Sequence, residues 1–408
     1  MENISSGTES VLSAEAVRTA VRPRRLPAVV LLAGSCMPVL GAVLLAPVLP
    51  TMTKAFATTP GAEIMVPVVL TLPALLIALL APVAGQIADR VGRKKLLIAA
   101  MAAYTVFGTA PLWVDSLVLV LASRVGVGVA EAAIMTVCTT LITDYYTGRD
   151  RDRYLGMQVL VATLAATAFF VVGGVLGSIG WRAPFWLYLA AAVIAVPMAL
   201  VLWEPARDSA KAKAAPVPWR HIAAPSAVTL FAGIVFYALI VQLPYVLTNL
   251  GVTDVGAIGA GTAVASLATA AGAISFRFAA KAGPSRLLPA AFALAGIGLI
   301  AVWTAVSVPL ALIGAVVTSA GTGLLLPTLL TWAVSGLQLE QRGRGTGIWT
   351  GVLYIGEFVS PIVLGIAAST IGGLQAALGV LGVLSALAAL IALLTRPGGR
   401  HGPTNESA

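Results

Sequence analysis

Charged side chains are scarce in this sequence. Asp, Glu, Lys and Arg together make up 10% of the 408 residues, whereas 59% are hydrophobic. Soluble globular domains carry roughly 25% charged residues. Apolar runs long enough to cross a hydrocarbon core of about 30 Å recur along the chain, and runs of that length are typical of transmembrane helices. The composition therefore predicts an all-α polytopic membrane protein.

Cysteine and histidine are also rare. Cys36 and Cys138 fall in apolar runs, so no disulfide framework is indicated. His221 and His401 fall in a predicted loop and a predicted tail, and without a Cys/His cluster we expect no metal site. With no histidine in any predicted helix, we find no nucleophile and base of the kind that an intramembrane enzyme would need. The Gly-x-x-x-x-Gly-Lys-Ser/Thr loop of nucleotide-driven pumps is missing as well, so we expect neither an enzyme nor a cofactor.

The segment from Gly85 to Leu97, between the second and third apolar runs, holds one acidic residue and four cations. Its Gly-Gln-Ile-Ala-Asp-Arg-Val-Gly-Arg-Lys stretch resembles Gly-x-x-x-Asp-Arg-x-Gly-Arg-Lys, the signature loop between helices 2 and 3 of the major facilitator superfamily. A generic basic loop would explain the cations but not the glycines and the aspartate at this spacing. The resemblance implies the fold of that superfamily, which is twelve transmembrane helices in two six-helix bundles.

The same resemblance implies a conformational gate built from Gly85, Asp89, Arg90, Gly92 and Arg93. In the superfamily, the loop aspartate lies beside the N-terminus of helix 11 in the outward-open state. A carboxylate at a helix N-terminus is stabilising by about 0.3–1 kcal/mol. We therefore expect Asp89 to hold the cytoplasmic end shut. The alternative is that it only neutralises cations of the loop.

Twelve apolar helices are predicted, and the Lys and Arg residues follow alternate loops. All but Lys54, Arg124 and Arg182 of the 25 fall on one side of the membrane, which the positive-inside rule assigns to the cytoplasm. The net charge of +9 thus reflects topology, and we expect no nucleic-acid partner. The predicted helices are 27–52, 64–88, 96–114, 117–142, 154–180, 183–203, 225–249, 256–280, 287–306, 308–336, 345–371 and 373–395.

A polar stretch, 204–224, divides the predicted helices into two groups of six. The expected organisation is a cytoplasmic N-terminal tail (1–26), two bundles (27–203 and 225–395) joined by a cytoplasmic linker (204–224), and a cytoplasmic tail (396–408). The N-terminal tail is not expected to be a signal peptide, because no apolar core lies ahead of its arginines. The halves repeat weakly at an offset of 191 residues, at which 88–97 aligns with 279–288. Repeats around a central linker are typical of transporters whose substrate site lies between the halves.

Three charged residues fall deep inside predicted helices: Arg124 and Glu131 in helix 4, and Glu357 in helix 11. A charge at the bilayer centre costs at least about 2.5 kcal/mol, so such residues usually face a cavity or a partner. Arg124 and Glu131 are nearly two turns apart and share one helix face, but they are too distant for an i,i+4 pair. This spacing favours a water-lined or substrate-lined wall. The alternative is that each charge neutralises another polar group of the bundle.

The segment Arg124 to Ala130 resembles the superfamily's helix-4 motif, Arg-x-x-Gln-Gly-x-Gly/Ala, whose arginine is implicated in proton coupling. Its continuation through Glu131 resembles drug exporters and Spinster-like lipid transporters of the superfamily. The antiporter motif of helix 5 is half present, because Gly173 and Gly174 are kept and Phe169-Phe170 replaces its Gly-Pro. We expect Glu131 to exchange the proton, together with Arg124, and Glu357 to be the second candidate.

Polar side chains for a substrate are few. A sugar site needs many hydrogen-bonding partners, so a hydrophobic or amphipathic substrate fits better. The candidates for the cavity wall are Met37, Gln158, Tyr237, Gln242, Tyr245, Trp332 and Tyr354.

These features favour a proton-coupled secondary transporter that exports hydrophobic or amphipathic compounds by alternating access. The expected partners are a small-molecule substrate, protons and the lipid bilayer, with the proton gradient as energy source. We expect a monomer in a bacterial inner membrane with both termini in the cytoplasm. Two alternatives within the same fold stay open: uptake of an organic anion, with Arg124 as the carboxylate clamp, and uniport.

Overall fold

The computed structural model describes residues 25–205, 217–395 and 397, and this part of the chain contains helices and turns but no strand. Twelve helical segments are long and apolar enough to cross a membrane. The predicted tails 1–26 and 396–408, and the middle of the predicted linker 204–224, lie almost entirely outside the described residues. The prediction of an all-α polytopic membrane protein is confirmed.

The twelve spanning segments are labelled α1 to α12. Four short 3₁₀ sections adjoin or interrupt these segments. Ala46–Val48 interrupts α1, where Pro47 removes a backbone donor, Ala110–Leu112 follows α3, Ala183–Tyr188 precedes α6 and Ala280–Ala282 follows α8. The segments are α1 Arg25–Ala55, α2 Ala62–Val91, α3 Arg93–Thr109, α4 Leu117–Tyr145, α5 Gly148–Gly177, α6 Leu189–Val201, α7 Trp219–Asn249, α8 Val255–Ala279, α9 Pro284–Trp303, α10 Val308–Ser335, α11 Leu339–Ile371 and α12 Leu374–Thr395.

Three helices begin six residues earlier than predicted. α5 begins at Gly148, α7 at Trp219 and α11 at Leu339. None of the added segments, 148–153, 219–224 and 339–344, forms an apolar run that would reveal a helix, since each contains charged or histidine residues. His221 therefore lies in the first turn of α7, so the expectation that no histidine is helical is wrong, although its side chain is exposed. The first turns of α7 also occupy the end of the range predicted as linker.

The helices form two bundles, α1–α6 and α7–α12, which meet along two pairs, α2 with α11 and α5 with α8. Adding the offset of 191 to the residue numbers of α2 and α5 gives positions in α8 and α11, respectively. The sequence repeat therefore relates the α2–α11 pair to the α5–α8 pair. The aligned turns before α3 and α9 also match, with Gly92 (φ 109°) and Gly283 (φ 73°) as the N-cap residues. Positive φ suits glycine, which has no Cβ. The weak sequence repeat thus corresponds to a repeat in structure.

Two names are used for the ends of the bundles. The basic end carries the α2–α3 turn at Gly92, and the opposite end carries the α1–α2 turn at Gly61.

Close packing of small residues joins the bundles toward the opposite end. A Cβ built on Gly174 of α5 would lie 2.8 Å from the Cα of Gly259 of α8, and one on Gly177 would lie 2.7 Å from a Val255 methyl carbon. Small residues let membrane helices approach in this way.

Candidate functional site

A cavity of about 510 Å³ lies between the two bundles. Contacts between the bundles close it toward the opposite end: the hydroxyl groups of Thr53 and Tyr245 are 2.7 Å apart, and α5 meets α8 at Gly174 and Gly259. Toward the basic end, a Cβ on Gly343 or Gly347 of α11 would meet no atom within 4 Å. At the basic end, these two glycines of α11 thus have no close neighbour among the described residues.

The wall of the cavity is mostly apolar, and among the described residues its only carboxyl groups are those of Glu131 on α4 and Glu357 on α11. Among the described residues that line it there is no Lys, Arg or His. Hydroxyl groups supply most of the remaining polarity, and many of them bond to carbonyl groups of their own helix, as Thr262 does to Ile258 and Gly259. The other polar residues of the wall are Ser35, Gln158, Thr163, Tyr237, Ser266, Thr269, Thr318, Ser319, Thr322 and Tyr354.

Glu131 lies where α4 contacts α1. Its side chain is 1% exposed, and its Oε1 atom has no hydrogen-bond partner among the described residues. A Cβ built on Gly41 would lie 1.9 Å from that oxygen, so the glycine of α1 makes the room for it. Close by, Tyr104 donates its hydroxyl hydrogen to the carbonyl of Met37 at 2.6 Å. Glu131 is thus a carboxyl group at the edge of the cavity that can gain or lose a proton without breaking an ion pair.

Arg124 lies apart from the cavity. Its guanidinium group donates to the Tyr188 hydroxyl at 3.0 Å and to the carbonyls of Phe107 and Gly108 at 3.2 Å each. It also lies over the rings of Phe185 and Tyr188, at 5.2 and 5.1 Å from their centroids. The prediction that Arg124 and Glu131 share a substrate-lined wall is wrong for Arg124. Its N–H groups donate to carbonyl groups at the end of α3 and to the Tyr188 hydroxyl, and its charge lies over aromatic rings next to α6.

Glu357 faces the cavity from the second bundle. Its side chain is 6% exposed, and none of the hydrogen bonds or ion pairs among the described residues involves its carboxyl group. Tyr354 lies one turn earlier on α11, and Tyr237 lies on α7; both line the same cavity. The Tyr237 hydroxyl donates to the carbonyl of Ala42 at 2.6 Å, which links α7 to α1.

Three of the seven predicted cavity residues line the cavity: Gln158, Tyr237 and Tyr354. The Gln158 amide donates to the hydroxyl groups of Ser35 and Thr139, at 2.8 and 3.1 Å. Met37, Gln242, Tyr245 and Trp332 lie outside its lining. Sequence reasoning missed the hydroxyl residues of α8 and α10, although a row of Thr and Ser residues in the middle of two apolar helices was a usable signal.

The five predicted gate residues surround the turn between α2 and α3. Arg93 donates to Asp89 at 3.3 Å and to Asp144 of α4. Gly92 is the N-cap of α3, a Cβ on Gly85 would come within 3.8 Å of Thr136 of α4, and Arg90 is exposed.

Sequence reasoning missed Glu204, which follows α6. Its carboxylate accepts the backbone N–H groups of Arg93 at 2.6 Å and Lys94 at 3.1 Å, and so supplies acceptors to the N-terminus of α3. The ring of the preceding Trp203 stacks on Tyr145 of α4 at 3.9 Å between centroids. These contacts attach the first residues after α6 to the loop.

Comparison with known proteins agrees with this architecture. The family model of the Major Facilitator Superfamily matches residues 31–281 and 226–408. Among solved structures, a bacterial homologue of the human lysosomal transporter Spinster, in an inward-facing conformation, has a TM-score of 0.72 at 19% identity, covering 93% of this chain and 96% of that one. The D-xylose-proton symporter has a TM-score of 0.73 at 13% identity, covering 90% and 96%.

Two curated relatives have names that refer to resistance or export. The class C tetracycline resistance protein of Escherichia coli is 29% identical over 228 residues, which is 55% of each chain. The bacillibactin exporter of Bacillus subtilis is 27% identical over 153 residues, 36% of this chain and 37% of that one. The chain spans about half or less of the length of these relatives. Together with the twelve helices in two bundles and the central cavity, the family match shows that this chain belongs to the Major Facilitator Superfamily of transporters.

Proposed function

We propose that this transporter is a proton-coupled exporter of hydrophobic or amphipathic small molecules. The observation that carries the proposal is an apolar cavity between the two bundles with a carboxyl group on each side, neither of which forms an ion pair with another described residue. The apolar wall suits a substrate that partitions into lipid, and a carboxyl group without a fixed counterion suits reversible protonation. The named functions of the tetracycline and bacillibactin relatives also favour export.

The proposed cycle uses the contacts of the two bundles in turn. With the cavity open at the basic end, which we propose to be cytoplasmic, substrate enters and Glu131 is deprotonated. The bundles then close at the basic end and separate at the opposite end, where the substrate leaves and Glu131 takes up a proton. We propose that the chain acts as a monomer in a bacterial inner membrane, with the proton gradient as its energy source.

Uptake of an organic anion is the second candidate. It requires Arg124 to reach the substrate, but the guanidinium donors of this residue are engaged by Phe107, Gly108 and Tyr188. The described residues of the cavity wall offer no other cation. We therefore favour export.

The function is tested with purified protein in liposomes and an imposed pH gradient. Tetracycline, the compound named for one relative, and a lipophilic dye serve as probes. We expect probe to accumulate against its gradient in the compartment from which protons leave, and the accumulation to disappear when a protonophore collapses the pH difference. Accumulation of the probe that persists in the presence of the protonophore would contradict proton coupling. Equilibration of the probe across the membrane without accumulation would indicate a uniporter.

The proposed orientation, with the basic end in the cytoplasm, rests on the distribution of cations and is tested by labelling single cysteines. Cys36 and Cys138 are buried and are first replaced by alanine. A cysteine at Thr147, in the turn between α4 and α5, should react with a membrane-impermeant maleimide only from the cytoplasm, and one at Thr59 only from outside. Reaction of both from one side would contradict the topology.

The gate proposal concerns Asp89 and the N-terminus of α11. Asp89→Asn removes a carboxylate that we expect to stabilise the conformation closed at the basic end by about 0.3–1 kcal/mol. The population open at this end should rise by up to about 5-fold, and spin labels at Thr147 and Ser335 would report it as a shift toward longer distances. Asp152→Asn, an exposed change on α5, is the control. An unchanged distance distribution in Asp89→Asn would refute the gate role.

A further inference from the structure

The charges around the cavity point to the charge of the substrate. Two carboxyl groups and no cationic side chain line the cavity among the described residues. An isolated charge in a low-dielectric site is costly unless an opposite charge lies nearby. A cationic substrate would supply that opposite charge, whereas an anionic substrate would meet only repulsion.

The two carboxyl groups differ in their surroundings. Glu131 is almost fully buried against Gly41 of α1, with an Oε1 atom that a Cβ on this glycine would touch. This leaves room for a proton but little for a larger group. Glu357 is more accessible from the cavity, at 6% exposure, and two tyrosines line the same cavity.

The tyrosines are held in place by their own contacts. Tyr237 donates its hydroxyl to the Ala42 carbonyl, and the Tyr354 hydroxyl lies 3.5 Å from the sulfur of Met135. Their rings therefore have restrained positions near a carboxyl group that has no hydrogen-bond partner among the described residues. Aromatic rings attract organic cations through the negative faces of their π systems, with about 0.5–2 kcal/mol per contact.

We propose that Glu357, with the rings of Tyr237 and Tyr354, binds the cationic group of a lipophilic organic cation, such as a protonated amine or a quaternary ammonium or phosphonium ion. The apolar remainder of the cavity takes the body of the molecule. The inference rests on the proposed function in one respect, namely that the cavity is the substrate site. It divides the roles of the two carboxyl groups, with Glu131 for the proton and Glu357 for the substrate.

Two probes of nearly equal shape and opposite charge test the proposal. Equilibrium binding of tetraphenylphosphonium and tetraphenylborate to the purified full chain is measured in detergent at pH 8. We expect saturable binding of the cation below 1 mM and at least 10-fold weaker binding of the anion. In Glu357→Gln the cation affinity should fall about 10- to 100-fold, which corresponds to about 1.4–2.8 kcal/mol, while anion affinity should stay the same or rise.

Matched variants separate this role from a general loss of structure. Glu63→Gln changes an exposed glutamate at the opposite end and should leave the affinity for both ions unchanged. Tyr354→Phe keeps the ring and should keep cation binding, whereas Tyr354→Leu should weaken it several-fold. Each variant is compared with wild type by size-exclusion profile and melting temperature.

Several results would overturn the proposal. These are no saturable binding of the cation by the wild type, equal affinity for the two ions, an unchanged affinity ratio in Glu357→Gln, or a larger loss in Glu131→Gln than in Glu357→Gln. The binding assay uses no gradient, so its failure would leave proton-coupled export standing. Conversely, loss of coupling in the liposome assay would leave the charge preference intact.

Discussion

Replacing Glu131 by glutamine is expected to abolish accumulation driven by the pH gradient. The glutamine side chain resembles a protonated carboxyl group that cannot release its proton, so one half of the exchange is lost. One proton moving through about 100 mV gains about 2.3 kcal/mol, and one pH unit adds about 1.4 kcal/mol. The total of about 3.7 kcal/mol could sustain roughly a 500-fold gradient of a neutral substrate at one-to-one exchange. For a cationic substrate the same exchange moves no net charge, so only the pH contribution of about 1.4 kcal/mol remains, which sustains roughly a 10-fold gradient. The variant should retain none of this gradient.

The liposome assay that tests the proposed function measures this effect. Glu131→Gln should still bind the probe and let it equilibrate, because its side chain keeps nearly the same volume beside Gly41. Glu63→Gln is the matched control and should accumulate probe like the wild type. If Glu131→Gln concentrates the probe with unchanged pH dependence, Glu131 is structural, and coupling belongs to Glu357 or is absent.

Replacing Gly174 by leucine is expected to prevent closure of the opposite end. A Cβ on Gly174 would lie 2.8 Å from the Cα of Gly259 and 2.9 Å from the carbonyl oxygen of Val255, and these are backbone atoms that cannot rotate away. Overpacking of this kind typically costs about 1–3 kcal/mol. This energy would shift the ratio of the two conformations by about 5- to 150-fold. In the proposed cycle α5 and α8 separate at this end in the other conformation, so we expect the cost to fall only on the conformation closed here.

Distances between spin labels test this prediction directly. Labels at Thr58 and Thr304 lie on different bundles at the opposite end and should move apart in Gly174→Leu. Labels at Thr147 and Ser335 should move closer at the basic end. Gly156→Leu is the control on the same helix, since a Cβ on Gly156 meets no atom within 4 Å. Unchanged distances in a folded Gly174→Leu variant would mean that the contact between Gly174 and Gly259 does not control closure.

Long apolar helices are the features that sequence reasoning predicts best. Their length is imposed by the membrane and every residue contributes to the signal, so all twelve spans were predicted. The first residues of α5, α7 and α11 were missed because they are interrupted by charged or histidine residues and so form no apolar run to mark a helix. The close approach of α5 to α8 was half visible, since Gly173, Gly174 and Gly177 form a cluster of small residues. The cluster does not name the partner helix, because Gly173 packs against Leu44 of α1 whereas Gly174 packs against Gly259 of α8.

The role of Arg124 shows a different limit. Its spacing from Glu131 on one helix face was correct, yet the two side chains have different environments. Side chains on one face of a helix reach different neighbours when the adjacent helices tilt and end at different heights. α3 ends at Thr109, and its last carbonyl groups bind the guanidinium group before it can reach the cavity.

The sequence by itself determined the membrane class, the number of helices, the internal repeat, the superfamily loop and the identity of the three buried charges. All of these depend on composition or on residues close together along the chain. Only the tertiary structure decided that Glu131 and Glu357 face one cavity, that Arg124 does not, and that Glu204 binds the start of α3. The physical reason is that these residues are far apart along the chain, by more than 200 positions for Glu131 and Glu357. Packing between helices brings them together, and no local sequence pattern records that packing.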